Sequence, residues 1–266
     1  MKRWILFVGF LFSISGWAQI APQAEPQLEL LIHPISSTSE WGHVSVRTVS
    51  AGKDRTYDFG RYGFMWHFNG KGDPVLRVWD SFDAYMKYGT QGDRSMYRFI
   101  FSATAEQVHS VQSYFEDHLR QGKRYTGKEG RWRKGKEVRN YEAPGSKNYI
   151  APGLGEFHAT QNNCTTVSLA GLAKAYPSLN FQKQYDYIQG KNADKGISYY
   201  NLAGPVEAIV MSQLKSEIRK NQRSGLMFWP EDLLAFTLNK KHDLPEIQKI
   251  ELWKTYSKDS QPEVLK

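Results

Sequence analysis

Cys164 is the only cysteine in a chain of 266 residues, and its sequence context suits a nucleophile. It follows Asn162 and Asn163 and stands at the head of an apolar run with helical spacing. Asparagine is a favoured helix cap because its side chain accepts a hydrogen bond from a first-turn N–H. In that turn the helix dipole and unpaired N–H groups lower the pKa of a thiol. We interpret Cys164 as a nucleophile; the alternative is a small buried hydrophobic residue.

His43 is the best candidate among the seven histidines for the base that a thiol nucleophile needs. It follows Gly42, which leaves room for a close approach. Residues 41–49 alternate as a β-strand does, so the backbone would hold the imidazole rigidly. His158, in the loop before the cysteine, and His67, in an aromatic segment, are alternative bases.

Asp58 is the expected third member of the site. Residues 55–60 are predicted to return as the second arm of a β-hairpin, which brings polar side chains beside His43. A carboxylate there would accept a hydrogen bond from the imidazole and fix its tautomer. A register shift of one residue would move Asp58 to the other face and leave Thr56 or Tyr57 in its place.

An oxyanion hole is expected at the start of the cysteine helix, where free backbone N–H groups would stabilise a developing negative charge. The residues expected to support it are Gln161, Asn163 and Thr165. The residues expected to line the substrate site are Trp41, Arg61, Tyr62 and Trp66.

The sequence does not indicate metal, cofactor or nucleic-acid chemistry. One cysteine with scattered histidines gives no metal-ligand spacing, and no phosphate-binding loop opens a helix after a strand. The net charge of +8 is not gathered on one recognition helix, and no nucleic-acid motif occurs. We expect no metal, no cofactor and no nucleic acid. An anionic cell envelope would attract such a surface, although a generally basic solvated surface is the alternative.

The first residues are typical of a signal peptide. Lys2 and Arg3 precede an apolar stretch, residues 4–14, that is too short to span a bilayer. Small residues at positions 16 and 18 fit cleavage after the latter, so residues 1–18 are predicted to be removed. No cysteine at the cut would carry a lipid, and no later segment is apolar enough to cross a membrane. We expect an exported protein, periplasmic or extracellular.

The mature chain is predicted to form a single catalytic domain, residues 28–256. Residues 19–27 are a spacer before it, and residues 257–266 are a polar tail. Residues 28–175 form its core and residues 176–256 a helical extension. Strands are predicted at 28–33, 41–49, 55–60, 74–79, 95–102 and 247–256, and helices at 81–87, 105–121, 164–172, 205–219 and from 230 onward. Residues 120–152, basic and weakly periodic, are predicted to form a loop beside the substrate.

Three short motifs carry a family resemblance. They are Gly42-His43-Val44-Ser45, then Tyr57-Asp58-Phe59-Gly60-Arg61-Tyr62-Gly63, then Asn162-Asn163-Cys164-Thr165-Thr166. Their order resembles the circularly permuted papain-like superfamily, which includes permuted NlpC-type cell-wall peptidases and the lecithin:retinol acyltransferase group. In the ordinary papain-like order the cysteine helix comes before the histidine strand. The resemblance covers about residues 28–175 and departs at Asp58, where relatives often carry His, Asn or Gln.

The resemblance implies an α+β, permuted papain-like fold, with an antiparallel sheet packed against the cysteine-bearing helix and additional C-terminal helices. Together with the export signal, it implies a cysteine hydrolase that cleaves amide bonds in peptidoglycan peptides. One alternative is a lipid-directed thiol acyltransferase or lipase with the same site. The other is a non-catalytic envelope-binding protein in which the cysteine is merely buried.

Overall fold

A computed structural model describes most of the predicted core and parts of the C-terminal third. The described residues are 25–34, 42–62, 71–89, 95–125, 131–133, 136–138, 142–158, 161–178, 230–239, 244, 246–257 and 260–265. The predicted signal peptide, the predicted helix at 205–219, and Trp41, Trp66 and His67 lie outside these residues.

A large antiparallel sheet forms the body of the protein. Its strands are β1 (Gln27–His33), β2 (His43–Ser50), β3 (Lys53–Tyr62), β4 (Lys71–Trp79), β5 (Met96–Phe101), β6 (Lys123–Arg124), β9 (Ser146–Ile150), β10 (Phe157–His158), β11 (Ile247–Trp253) and β12 (Glu263–Leu265). The order across the sheet is β12-β11-β5-β1-β2-β3-β4-β9-β6, and β10 pairs with β4. Two further strands, β7 (Arg131–Arg133) and β8 (Lys136–Val138), form a separate hairpin.

The described helices follow the predicted signals closely. They are α1 (Phe82–Ala84), which continues as a π-helical turn at Tyr85–Gly89, α2 (Ala105–Gln121), α3 (Cys164–Leu172) and α4 (Pro230–Asn239). Ser81 caps α1, as predicted, by accepting a hydrogen bond from the N–H of Ala84. Thr104 and Gln107 form the predicted capping box of α2. The chain is therefore α+β, with one large antiparallel sheet and a few helices.

One face of the sheet is apolar and packs against α2 and α3. Alternate residues of the strands supply this face, and Tyr57 stacks on Phe115 of α2 with 4.6 Å between ring centroids. At Gly171 of α3 an added Cβ would lie only 2.5 Å from the Phe115 ring. Only glycine therefore allows the two helices to approach this closely. The fully buried members of this core include Leu28, Leu30, Ile32, Val44, Val46, Phe99, Val108, Val111, Leu172, Leu233 and Phe236.

The opposite face of the sheet carries buried charges. We call Glu29, Arg47, Asp54, Arg98 and Glu251 the Glu29 network. Glu29 accepts hydrogen bonds from Arg47 Nη1 at 2.9 Å and from Arg98 Nε at 2.7 Å. Arg98 also donates to Glu251 at 2.9 Å, and Arg47 donates to Asp54 at 2.8 Å. Five strands (β1, β2, β3, β5 and β11) are joined in this way, and each charge has an opposite partner.

Two sequence predictions need correction here. Residues 120–152 were predicted to form a loop, but β6 and β9 of this stretch belong to the main sheet and β7 and β8 form a hairpin. Residues 257–266 were predicted to be a polar tail, but β12 within them pairs with β11. β12 is an edge strand, which suits its exposed polar side chains, whereas β9 lies between β4 and β6 and buries Ser146 and Asn148.

No helix within the described parts of the chain is both long enough and apolar enough to cross a membrane.

Candidate active site

The β2–β3 hairpin places His43 and Asp58 together. Ser45 of β2 lies directly opposite Asp58 of β3, and side chains two apart on a strand share a face. His43 is therefore the diagonal neighbour of Asp58, and His43 Nε2 lies 2.7 Å from Asp58 Oδ1. In this register Tyr57 lies on the other face and Thr56 lies opposite Arg47, so neither takes the place of Asp58.

The cysteine helix begins as the sequence indicates. Asn163 Oδ1 accepts hydrogen bonds from the N–H groups of Thr165 at 2.9 Å and Thr166 at 3.2 Å. The Thr166 hydroxyl accepts in return from the Asn163 N–H at 2.9 Å. This reciprocal cap fixes Cys164 as the first residue of α3.

The first turn of α3 meets the start of β2 at the thiol. Cys164 is hydrogen-bonded to the His43 side chain and to the backbone N–H of Val44. Because Nε2 of His43 is held by Asp58, Nδ1 is the nitrogen left to serve the thiol. Cys164 is partly buried, and the His43 side chain keeps 22% of its surface exposed, whereas that of Asp58 keeps 6%. The thiol and imidazole can therefore be reached by a substrate, while the carboxylate stays behind them.

The charges of the site stabilise one another against burial. Burial lowers the pKa of His43, but the negative charges of Asp58 and Cys164 and hydrogen bonds to both raise it to about 10. Burial raises the pKa of Asp58, but the charge and hydrogen bond of His43 and the charge of Arg77 lower it to about 2. Burial also opposes a thiolate, but the charge and hydrogen bond of His43 lower the pKa of Cys164 below its usual value of 9.0. These shifts favour a thiolate–imidazolium pair near neutral pH.

The predicted oxyanion support is only partly available. The cap uses the backbone N–H groups of Asn163, Thr165 and Thr166, so these three cannot donate to an oxyanion. The N–H of Cys164 is the first-turn donor that the cap leaves. The Thr165 hydroxyl is buried, with no hydrogen-bond partner in the described parts of the chain, and Gln161 is exposed in the turn before α3.

The remaining predicted residues do not take part in the contacts between Cys164, His43 and Asp58 that the structure describes. Arg61 and Tyr62 end β3, opposite Pro74 and Asp73 of β4. His158, the alternative base, lies in β10, where its N–H donates to the Asn162 carbonyl at 2.8 Å. The charges that shift the pKa of Cys164 come instead from His43 and Asp58.

A buried hydrogen-bonded chain beside the site was not foreseen. The Tyr85 hydroxyl lies 2.8 Å from both Ser45 Oγ and His33 Nε2, and His33 Nδ1 lies 3.1 Å from the Ser95 carbonyl. Ser45 is the cross-strand neighbour of Asp58. The chain satisfies the buried polar groups next to the carboxylate. The sequence does not indicate this hydrogen-bonded chain, because the chain forms only when the π-helical turn with Tyr85 packs over β2.

In the described ranges no group of three or more His, Cys, Asp or Glu side chains is arranged to hold a metal ion. The described arrangement is a thiol, an imidazole and a carboxylate, which are the group types that a nucleophile, a base and an orienting group require.

Comparison with known proteins yields no relative. No protein-family model matches the chain, and neither a curated protein nor a solved structure matches it. Function must therefore be inferred from the chemistry of the site itself.

Proposed function

We propose that the chain is an exported cysteine hydrolase that cleaves amide bonds, with Cys164, His43 and Asp58 as its triad. The observation that carries the proposal is the contact of His43 with two partners. Its Nε2 is held by Asp58 at 2.7 Å, and the imidazole is hydrogen-bonded to the only thiol of the chain. Nucleophile, base and orienting group are the three parts that thiol catalysis requires.

Acylation uses the thiolate–imidazolium pair. The Cys164 sulfur attacks the carbonyl carbon of the substrate, and the carbonyl electron pair moves to oxygen. The N–H of Cys164, in the first turn of α3, would stabilise that oxyanion. When the oxyanion collapses, the C–N bond breaks and the imidazolium gives its Nδ1 proton to the leaving amine. The products are a free amine and an acyl thioester on Cys164.

Deacylation returns the enzyme to its starting state. Neutral His43 takes a proton from water, and the resulting hydroxide attacks the thioester carbonyl. The C–S bond breaks, the thiolate is regenerated beside the imidazolium, and a carboxylic acid leaves. Asp58 keeps the Nε2 proton in place through both steps, so Nδ1 is always the nitrogen that faces the reaction.

Peptidoglycan peptides are the proposed substrate. Three features of the sequence support this choice: the predicted export signal, the net charge of +8, which attracts an anionic envelope, and the resemblance to permuted cell-wall peptidases. An acyl thioester could also form from a lipid ester or amide, so the substrate test must include lipids.

The deciding experiment compares the wild type with Cys164→Ala on purified peptidoglycan and on phospholipid vesicles, with products read by mass spectrometry. We expect Cys164-dependent release of peptide fragments with new amino and carboxyl ends. Cys164-dependent release of fatty acid or lysolipid would reassign the acyl donor to lipids.

A thiol-reactive probe tests the dyad without any substrate. We expect labelling of Cys164 near neutral pH that is lost in His43→Ala. His109→Ala is the matched control, because His109 lies exposed on α2 beside Ser113. Equal labelling of all three proteins, with no Cys164-dependent product, would overturn the proposal.

A further inference from the structure

Asp58 belongs to a row of polar side chains that crosses four strands. The register pairs Ser45 with Asp58, Asp58 with Arg77, and Arg77 with Asn148. Directly opposed residues of antiparallel strands have Cβ atoms about 4.5–5.5 Å apart. Arg77 therefore stands beside Asp58 on the side away from Ser45, on the same face of the sheet.

Contacts on two sides hold the Arg77 side chain. Its Nε donates to Asn148 Oδ1 at 2.8 Å, and its guanidinium carbon lies 5.2 Å from the centre of the Trp79 ring. Asn148 and Trp79 are both fully buried. These two contacts restrict the guanidinium, and its positive charge lowers the pKa of the Asp58 carboxyl across the strand pair.

We propose that Arg77 is a positioning residue for the Asp58 carboxylate and that Asn148 fixes Arg77 in that role. This inference rests on the proposed function, because Arg77 acts only through Asp58 and His43 on Cys164. The four groups then alternate in charge: thiolate, imidazolium, carboxylate, guanidinium. A carboxylate whose side chain is only 6% exposed is ionised more readily between two cations than beside one.

The titratable and charged groups around Asp58 come from several elements. His43 of β2 bonds it directly, Arg77 faces it from β4, and Cys164 of α3 acts on it through His43. Tyr85, in the π-helical turn, is bonded to the neighbouring Ser45. Without Arg77, both Asp58 and Cys164 become harder to ionise. Thiolate formation then shifts to higher pH.

The test measures thiolate formation directly and needs no substrate. The rate of Cys164 alkylation by iodoacetamide is followed from about pH 4 to about pH 9, because only the thiolate reacts. We expect Arg77→Gln to lower the rate at pH 6 about fivefold. Arg77→Lys keeps the charge and should stay within about twofold of the wild type.

Two further variants separate charge from packing. Asn148→Asp changes almost no volume but gives Arg77 a carboxylate of its own, so we expect a shift in the same direction as Arg77→Gln. Arg55→Gln removes a cation from β3 that pairs with Asp80 at the surface, 2.7 Å away. This matched control should leave the alkylation profile unchanged.

The outcomes are distinguishable. If Arg77→Gln and Asn148→Asp alkylate as the wild type does while Asp58→Asn is slower, the role of Arg77 is overturned and the proposed function stands. If the wild-type thiol shows the pH dependence of an ordinary cysteine, the proposed function fails. Circular dichroism checks that each variant is folded, and Asn148→Asp decides the matter if Arg77→Gln does not fold.

Discussion

The Glu29 network shares one face of the sheet with His43 and Asp58 of the candidate active site, and the two groups differ in what their protons can do. The Glu29 network contains two guanidinium groups and three carboxylates, each held by an opposite charge. The candidate active site contains the imidazole of His43, the carboxylate of Asp58 and the thiol of Cys164. Guanidinium groups stay protonated at any physiological pH, so the cations of the Glu29 network cannot act as bases. The imidazole of the candidate active site can.

Burial of charge is therefore not by itself a sign of function in this protein. The Phe82 ring packs against both guanidinium groups of the Glu29 network: its centre lies 4.5 Å from the Arg47 guanidinium carbon and 5.2 Å from that of Arg98. Because the ring covers these cations, a structural role suits the network. In the candidate active site, by contrast, the imidazole remains partly exposed. What distinguishes the candidate active site from the Glu29 network is a titratable pair of side chains that solvent and substrate can reach.

The largest effect should follow loss of the thiol. Cys164→Ser should reduce hydrolysis by about 10⁴-fold or more, because the nucleophile is removed. It should change the free energy of unfolding by less than about 1 kcal/mol, since the side chain keeps its shape. Product release and urea unfolding are the two measurements. If hydrolysis survives the substitution, Cys164 is not the nucleophile. The candidate active site would then not differ from the Glu29 network in its chemistry.

The Glu29 network should show the reverse pattern. Glu29→Gln leaves Arg47 and Arg98 facing each other without their shared carboxylate, and we expect a loss of about 3–5 kcal/mol in the free energy of unfolding. Alkylation of Cys164 in the folded variant should be unchanged. Asp80→Asn, which removes a surface partner of Arg55, is the control and should cost less than about 1 kcal/mol. If Glu29→Gln lowers the free energy of unfolding no more than Asp80→Asn does, the Glu29 network has no structural role.

Asp58→Asn should affect both activity and pH dependence. We expect hydrolysis to fall about a hundredfold or more, because the imidazole loses the partner that orients it. In the wild type the pKa of His43 is raised from 6.5 to about 10. Protonated His43 therefore stabilises the folded state fully below its usual pKa, and this contribution is lost as the pH rises through about 10.

The measurement is the free energy of unfolding near neutral pH and near pH 10. We expect the decrease between them to be smaller in Asp58→Asn, since His43 then titrates at lower pH. An identical decrease in both proteins would contradict the assigned pairing of His43 with Asp58.

The smallest effect concerns the helix cap. Asn163→Ala removes the acceptor for two first-turn N–H groups and should cost about 1 kcal/mol in the free energy of unfolding. Asn163→Ser keeps a capping oxygen and should lie within about 0.5 kcal/mol of the wild type. If the two variants are equally stable, the cap contributes nothing to the stability of α3.

Local signals in the sequence were enough to predict the parts of the candidate site. Alternation and the turn predicted the β2–β3 hairpin, and Asn163 predicted the start of α3 with Cys164 in its first turn. Neither signal could fix the register, so Thr56 and Tyr57 remained alternatives to Asp58 until the strand pairing was known.

The features that escaped prediction depend on contacts between distant segments. Glu29 and Glu251 share Arg98, although the two carboxylates are far apart in the sequence. Arg77 and Asn148 meet only because β4 pairs with β9. The short strands β9 and β12 carry weak alternation, so the larger sheet, rather than their own residues, decides that they are strands.

The candidate active site is divided between two segments of the chain, with His43 and Asp58 in one and Cys164 in the other. An unfolded chain keeps these segments apart, so its thiol has the ordinary pKa near 9.0 and little reactivity at neutral pH. Only when α3 docks against β2 do the charge and hydrogen bond of His43 lower the pKa of the thiol. The proposed thiol reactivity would thus be an intrinsic reporter of the completed fold, and a chain passing through a membrane in unfolded form would carry no active thiolate during the passage.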